Sequence, residues 1–102
     1  MSTAISILSS IERLSQSVAA LLGNPAAFTS TFRTTLVTTF ELVKGAIREF
    51  PVRFFRQQEI LQVLNQAEAI ISGAVTITAQ ELNTVLGLLQ LAALKVTVFA
   101  DP

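Results

Sequence analysis

The chain has 102 residues, of which 51% are hydrophobic and 14% charged, and its seven basic and seven acidic residues cancel. A typical charged fraction is about 25%, so this chain has much apolar surface and little charge to keep copies apart, which predicts association with a partner, with itself or with a membrane. The lack of a basic surplus argues against nucleic-acid binding, and the lack of cysteine excludes disulfides and thiolate chemistry.

The first predicted element is a helix over about residues 3–22. Its apolar residues recur at alternating spacings of three and four, which places them on one helix face: Ala4, Ile7, Ile11, Leu14, Val18 and Leu21. Ser2 or Thr3 can cap its start. Gly23 is expected to end it in the left-handed conformation that glycine adopts at little cost.

The N-terminal segment has no Lys or Arg before its apolar residues, so it does not resemble a secretory signal. A membrane-spanning helix needs about 20 predominantly apolar residues. The apolar segment 82–94 falls short of that length. We therefore expect no signal peptide and no transmembrane segment, and the compartment remains undetermined.

The second predicted helix covers about residues 25–50. Asn24 can serve as N-cap and Pro25 as the first helical residue. The segment 29–39 is rich in threonine, which favours strands, but apolar residues recur every four positions and indicate a helix: Phe28, Phe32, Leu36 and Phe40. The threonines then occupy the other faces, where they either face solvent or pack against another surface with their hydroxyls bonded back to helix carbonyls.

Pro51 interrupts the helical pattern because it removes a backbone donor and disfavours helical geometry in Phe50. The pattern resumes in a third predicted helix over about 52–72, which is expected to end at Gly73. Pro51 is compatible with a turn between two helices or with a kink in one longer helix.

The fourth predicted helix covers about 79–98 and has the clearest start signal in the chain. Thr78 and Glu81 have the spacing of a reciprocal capping box, and Ile77 and Leu82 that of a hydrophobic staple. The segment after residue 95 can fray, continue the helix or form a short strand. Together the four helices predict an all-α fold, a single domain over 1–102 in which they form an antiparallel or partly orthogonal bundle.

Catalytic chemistry has few candidates in this sequence. Histidine, cysteine and tyrosine are absent and Asp101 is the only aspartate, so Ser-His-Asp and Cys-His arrangements are impossible. The glutamates are interpreted as solvated ion-pair partners, for example Glu59 with Arg56 at helical spacing. We expect no enzyme activity, no cofactor and no metal site.

The segment REFPVRFFRQQE, residues 48–59, combines Phe50, Phe54 and Phe55 with three arginines, and Lys44 adds to the local basic surplus. The favoured interpretation is that the phenylalanines fill the end of the bundle and the arginines point outward. A protein or lipid contact is the next interpretation, and nucleic acid is the least favoured because the global charge is zero.

Helix 4 carries apolar residues around almost its whole circumference, leaving a narrow polar stripe of Asn83, Gly87, Gln90 and Thr97. A helix on the surface of a small bundle should show a wide polar face. The excess predicts a subunit interface, although a helix lying in the groove between three amphipathic neighbours would look the same. The candidate interface residues are Leu82, Leu86, Leu88, Leu91, Leu94, Val98, Phe50, Phe54 and Phe55.

These patterns favour a non-enzymatic structural protein that self-associates through apolar helix faces, as the subunit of a coat, filament or shell. The expected partners are further copies or other protein subunits, and no nucleic acid is expected. Two alternatives remain open. One is a membrane-active protein that inserts amphipathic helices into lipid, which is less favoured, and the other is a carrier of an apolar ligand.

Overall fold

The computed structural model describes residues 3–100, which form four α-helices and one short 3-10 turn, with no strand in that range. The helices are α1 (Ala4–Gly23), α2 (Ser30–Arg48), α3 (Phe54–Ser72) and α4 (Ala79–Ala100), and the turn is Pro25–Ala27. The predicted all-α four-helix bundle is confirmed. The proposed alternative cap Ser2, and the chain end at Asp101 and Pro102, lie outside the described residues.

Helix α1 begins where the sequence predicted, since the Thr3 hydroxyl accepts a hydrogen bond from the Ser6 amide at 3.2 Å. Its end differs from the prediction. Gly23 is the last helical residue, and Asn24 follows with an extended φ of −152°. No glycine in residues 3–100 has a positive φ, so the predicted left-handed cap at Gly23 is wrong.

Helix α2 begins five residues later than predicted. Asn24 and Pro25 open only the 3-10 turn, which ends at Ala27. The N-cap of α2 is instead Thr29, whose hydroxyl accepts from the Phe32 amide at 3.1 Å. The predicted N-cap Asn24 makes no side-chain capping hydrogen bond, whereas Thr29 satisfies one of the amides that a helix start leaves without a partner.

The break at Pro51 is a turn. Residues 49–53 are not helical, so α2 ends at Arg48 and α3 begins at Phe54, each about two residues inside the predicted limits. The turn is held from α3: Gln57 Nε2 donates to the Phe50 carbonyl at 2.7 Å and to the Arg48 carbonyl at 3.4 Å. The Arg48 carbonyl belongs to the open end of α2, where helix carbonyls lack intrahelical partners, and the Phe50 carbonyl belongs to the turn itself.

Helix α4 opens with the predicted capping box. The Glu81 amide donates to Thr78 Oγ1 at 3.1 Å, and Glu81 Oε1 accepts from the Thr78 amide at 3.0 Å. Ile77 and Leu82, the predicted staple, are both buried. At its other end α4 continues through Ala100, so the segment after residue 95 extends the helix and forms no strand.

Each helix packs against its neighbours in the chain, and α1 closes the ring against α4. Cross-helix contacts show that neighbours are antiparallel: Arg33 near the start of α2 bonds to Ala74 just after α3, and Lys95 near the end of α4 reaches Glu59 near the start of α3. The bundle measures 43 × 19 × 19 Å. Every helix supplies fully buried apolar side chains to one core, among them Ile11, Phe40, Leu64 and Leu89.

Candidate functional site

The outward face of α4 carries an exposed apolar row, which we call the α4 stripe: Leu91, Leu94 and Val98, with side chains 41%, 58% and 55% exposed. These residues are spaced by three and four, so they lie on one face of the helix. They alternate around the helix with the core residues Leu89, Ala92 and Val96, each 0% exposed. The apolar residues of α4 therefore lie in two different environments: those on one side fill the core, and those on the other side are exposed to solvent.

The structure divides the predicted interface residues into three groups. Leu82 and Phe50 are 0% and 3% exposed, and they belong to the core, so their assignment to an interface is wrong. Leu86 and Leu88 are half-buried and pack on the edge of the core. The remaining residues are exposed: the α4 stripe, Phe54 and Phe55.

The aromatic corner departs from the favoured interpretation. Phe50 does fill the end of the bundle, but Phe54 and Phe55, in the first turn of α3, are 73% and 54% exposed. The Arg56 guanidinium lies over the Phe99 ring at 5.0 Å, a cation–π contact between the start of α3 and the end of α4. The two exposed phenylalanines thus lie at the same end of the bundle as Leu94 and Val98.

Glu59 also differs from its predicted pairing. Its carboxylate contacts Lys95 of α4 at 3.4 Å, across the helix interface, where Arg56 had been expected from helical spacing. Both partners are substantially exposed, so this pair orients α3 against α4 more than it stabilises the fold.

A buried charge cluster was not anticipated. Lys44, counted from sequence as part of the basic surplus, is only 7% exposed. Its ammonium donates to Asn65 Oδ1 at 2.9 Å and contacts Glu41 and Glu68. The sequence signal was the spacing of Glu41 and Lys44, but the α3 partners Asn65 and Glu68 depend on the packing of two helices.

The pKa values of the two carboxyls in this cluster shift in opposite directions. The hydrogen bond with Lys44 lowers the pKa of Glu41, whereas burial raises the pKa of Glu68 and its hydrogen bond with Glu41 adds to that shift. Because the Lys44 ammonium contacts both carboxylates and the Asn65 amide, and thereby joins α2 to α3, we interpret the cluster as structural.

The threonine-rich face of α2 has its hydroxyls occupied. Thr34, Thr35, Thr38 and Thr39 each donate to the carbonyl four residues earlier, at 2.9–3.0 Å. These hydroxyls have no further proton to donate. These four side chains are therefore uncharged and have no free donor, and whether they face solvent or pack against another surface stays a prediction.

Helices α1 and α2 leave an open groove of about 460 Å³ between them. Its floor is the buried trio Leu14, Leu36 and Val43, and Phe32 and Leu42 contribute to its apolar lining. Leu42 is 70% exposed. We call this feature the α1–α2 groove.

Helix α4 is long and apolar enough to cross a membrane by length and composition, with a mean hydropathy of 1.6 in its most apolar window, of which 28% is buried. The sequence predicts no such segment, because Lys95 ends its apolar run at residue 94. A core helix of a bundle passes the same test, and α4 supplies five buried core residues.

The fold and these surfaces define a four-helix bundle with an exposed apolar stripe, two exposed phenylalanines, an apolar groove and a structural charge cluster. Comparison with known protein families, with curated proteins and with solved structures finds no significant match.

Proposed function

We propose that this protein is a non-enzymatic structural subunit that self-associates through the outward face of α4. The observation that carries the proposal is the α4 stripe. Its three large aliphatic residues follow one another at intervals of about one helical turn, and they are exposed on a helix whose opposite side is buried. Scattered exposed leucines are ordinary, but a row on one face is typical of a contact surface.

The charge distribution supports contact between copies. With zero net charge there is no overall repulsion, and the stripe itself contains no ionisable residue. Its polar neighbours Asn83, Gln90 and Thr97 are uncharged, and the one charged neighbour on α4, Lys95, is paired with Glu59. Two identical surfaces of this kind can meet without burying an unpaired charge.

The free energies of burial and of association indicate how much apolar surface such a contact must cover. Fully burying a Leu or Val side chain stabilises by about 1.5–3 kcal/mol, so three half-exposed residues contribute roughly 3 kcal/mol per copy. Association costs on the order of 4–15 kcal/mol. The stripe alone is therefore insufficient, and the contact must cover further apolar surface, for which Phe54 and Phe55 are candidates.

Sedimentation velocity and light scattering across the micromolar range test the proposal. We expect species larger than the monomer that grow with concentration, and their loss in Leu94→Glu. Val75→Glu is the matched control, because Val75 is 82% exposed in the α3–α4 connection, away from the stripe. A compact monomer at every concentration would remove the proposal.

A membrane-active protein is the second candidate, favoured by the length and hydropathy of α4. It requires α4 to leave the core, since Leu82, Val85, Leu89, Ala92 and Val96 are all 0% exposed. Co-flotation with neutral and with anionic vesicles separates the candidates: the self-associating subunit remains with the soluble fraction, whereas the membrane-active protein floats.

A further inference from the structure

The α1–α2 groove is apolar at its floor and neutral along most of its rim. Leu14, Leu36 and Val43 at the floor are at most 3% exposed, whereas Leu42 stands 70% exposed at the edge. An apolar groove with an exposed leucine at its side is suited to an apolar insert.

The hydroxyls around the groove have little to offer a polar ligand. Ser10 and Ser17 on α1 donate to the carbonyls of Ser6 and Arg13 at 3.1 and 3.2 Å. On the α2 side, Thr35 and Thr39 donate back to their own helix in the same way. Arg13 is the one charged residue among the lining residues. A row of aliphatic side chains is the occupant that this lining fits best.

The α4 stripe fits within the length of the groove. The groove extends from Ser10 to Ser17 along α1 and from Phe32 to Val43 along α2, and the stripe extends from Leu91 to Val98. At about 1.5 Å per residue, the stripe and the α1 side of the groove are each about 10 Å long, and the α2 side is about 16 Å long. Apolar anchors at i, i+3 and i+7 on one helix face are the pattern by which a helix docks into a groove.

The stripe of one chain cannot reach its own groove. The helices contact one another in the ring α1, α2, α3, α4, so the α1–α2 edge and the α3–α4 edge lie on opposite sides of the bundle. The stripe lies on the outward face of α4 and is directed away from the core of its own bundle, because Leu91, Leu94 and Val98 are exposed whereas the opposite side of the helix is fully buried.

We propose that the α4 stripe of one copy docks into the α1–α2 groove of the next copy. This inference rests on the proposed self-association and specifies its geometry. Such a contact joins two different surfaces, so a bound pair still presents one free stripe on one copy and one free groove on the other, and the assembly grows head to tail into a filament or closes as a ring. A stripe-on-stripe dimer would leave Leu42 and the groove uncovered, whereas the head-to-tail contact covers the stripe and the groove.

A mixing experiment tests the geometry. Leu94→Glu blocks the stripe and leaves the groove intact, while Leu42→Glu blocks the groove and leaves the stripe intact. Both side chains are mostly exposed, so neither substitution disturbs the core, and circular dichroism verifies the fold of each variant. Val75→Glu again serves as the charge-matched control and should assemble like the unmodified chain.

The expected result in sedimentation velocity is that each variant alone is monomeric and that an equimolar mixture forms a heterodimer, through the one intact stripe and the one intact groove. If Leu42→Glu still self-associates alone and the mixture forms no heterodimer, the head-to-tail geometry is overturned, whereas self-association through α4 stands. If the unmodified chain is monomeric throughout, both proposals fail.

Discussion

Lys44 of α2 and Glu68 of α3 form an ion pair at 3.1 Å between side chains that are only 8% and 17% exposed. Glu68 Oε1 makes no well-formed hydrogen bond within residues 3–100, so its attraction to Lys44 is electrostatic. Glu41 approaches the same ammonium from one turn earlier on α2. One cation thus contacts two carboxylates at the interface between α2 and α3.

Replacing Lys44 with Met should destabilise the fold, because it leaves two carboxylates facing each other without a cation. Breaking a fully buried pair costs about 3–5 kcal/mol of stability. Because Glu41 is half-exposed, we expect a smaller loss in the free energy of unfolding here, about 2–3 kcal/mol. Urea unfolding measures it. Lys95→Met is the matched control, and since its pair with Glu59 is exposed, the loss there should stay below about 1 kcal/mol. Equal losses in both variants would contradict a special role for Lys44.

The stability of the cluster should depend on pH through Glu68. Its pKa in the folded state is raised above the ordinary value of 4.5 by burial and by Glu41, so its contribution to stability is full below pH 4.5 and is lost as the pH rises through the folded-state pKa. Glu68→Gln should therefore become more stable relative to the unmodified chain as the pH rises above 4.5.

Glu41 provides the opposite control. Its lowered pKa means that its contribution is present above 4.5 and is lost as the pH falls through the folded-state pKa, so Glu41→Gln should lose relative stability as the pH rises. Urea unfolding at a series of pH values measures both differences. If the relative stability of both variants changed in the same direction with pH, the opposite pKa shifts of Glu41 and Glu68 would be contradicted.

Two leucines on one helix give a direct comparison of core and surface. Leu89 is 0% exposed and Leu94 is 58% exposed. Leu89→Ala should cost about 2–5 kcal/mol by leaving a cavity, whereas Leu94→Ala should change the stability of the monomer by no more than about 0.5 kcal/mol. Urea unfolding at low protein concentration measures the stability of the monomer without any contribution from association. A large loss of stability in Leu94→Ala under these conditions would contradict the exposure of this side chain.

The turn at Pro51 should depend on Gln57, which donates to the Arg48 carbonyl of α2 and to the Phe50 carbonyl of the turn. Removing a side-chain donor to backbone acceptors costs about 1 kcal/mol, so Gln57→Ala should lower the free energy of unfolding by about that amount. The exposed neighbour Gln58 is the control, and its replacement by Ala should be nearly neutral. Hydrogen exchange at residues 49–53 should accelerate only in Gln57→Ala.

Gly87 lies on the outward face of α4, one turn before Leu91, and an added Cβ would meet nothing within 4 Å. Gly87→Ala should therefore raise the stability of the monomer by about 0.5–1 kcal/mol through helix propensity. At Gly73, by contrast, a Cβ would meet the Ala69 carbonyl oxygen at 3.1 Å, so Gly73→Ala should gain less. Thermal unfolding of the two variants side by side decides the comparison.

Local signals in the sequence determined the helices themselves. Apolar spacing and the Thr78–Glu81 capping box depend on residues within one or two turns of each other, so they predicted four helices and most of their limits. The start of α2 was missed because two local signals competed, Pro25 and Thr29, and the residue that satisfied an orphan amide prevailed.

Which apolar and charged residues are buried was decided only by the tertiary structure. Sequence placed Phe50, Phe54 and Phe55 together, yet the turn at Pro51 turns Phe50 inward and leaves the other two in solvent. It counted Lys44 only as part of a local basic surplus, yet α3 brings Asn65 and Glu68 against it. On a helix with apolar residues all round, period alone cannot distinguish the side that meets the core, because burial depends on where the neighbouring helices lie.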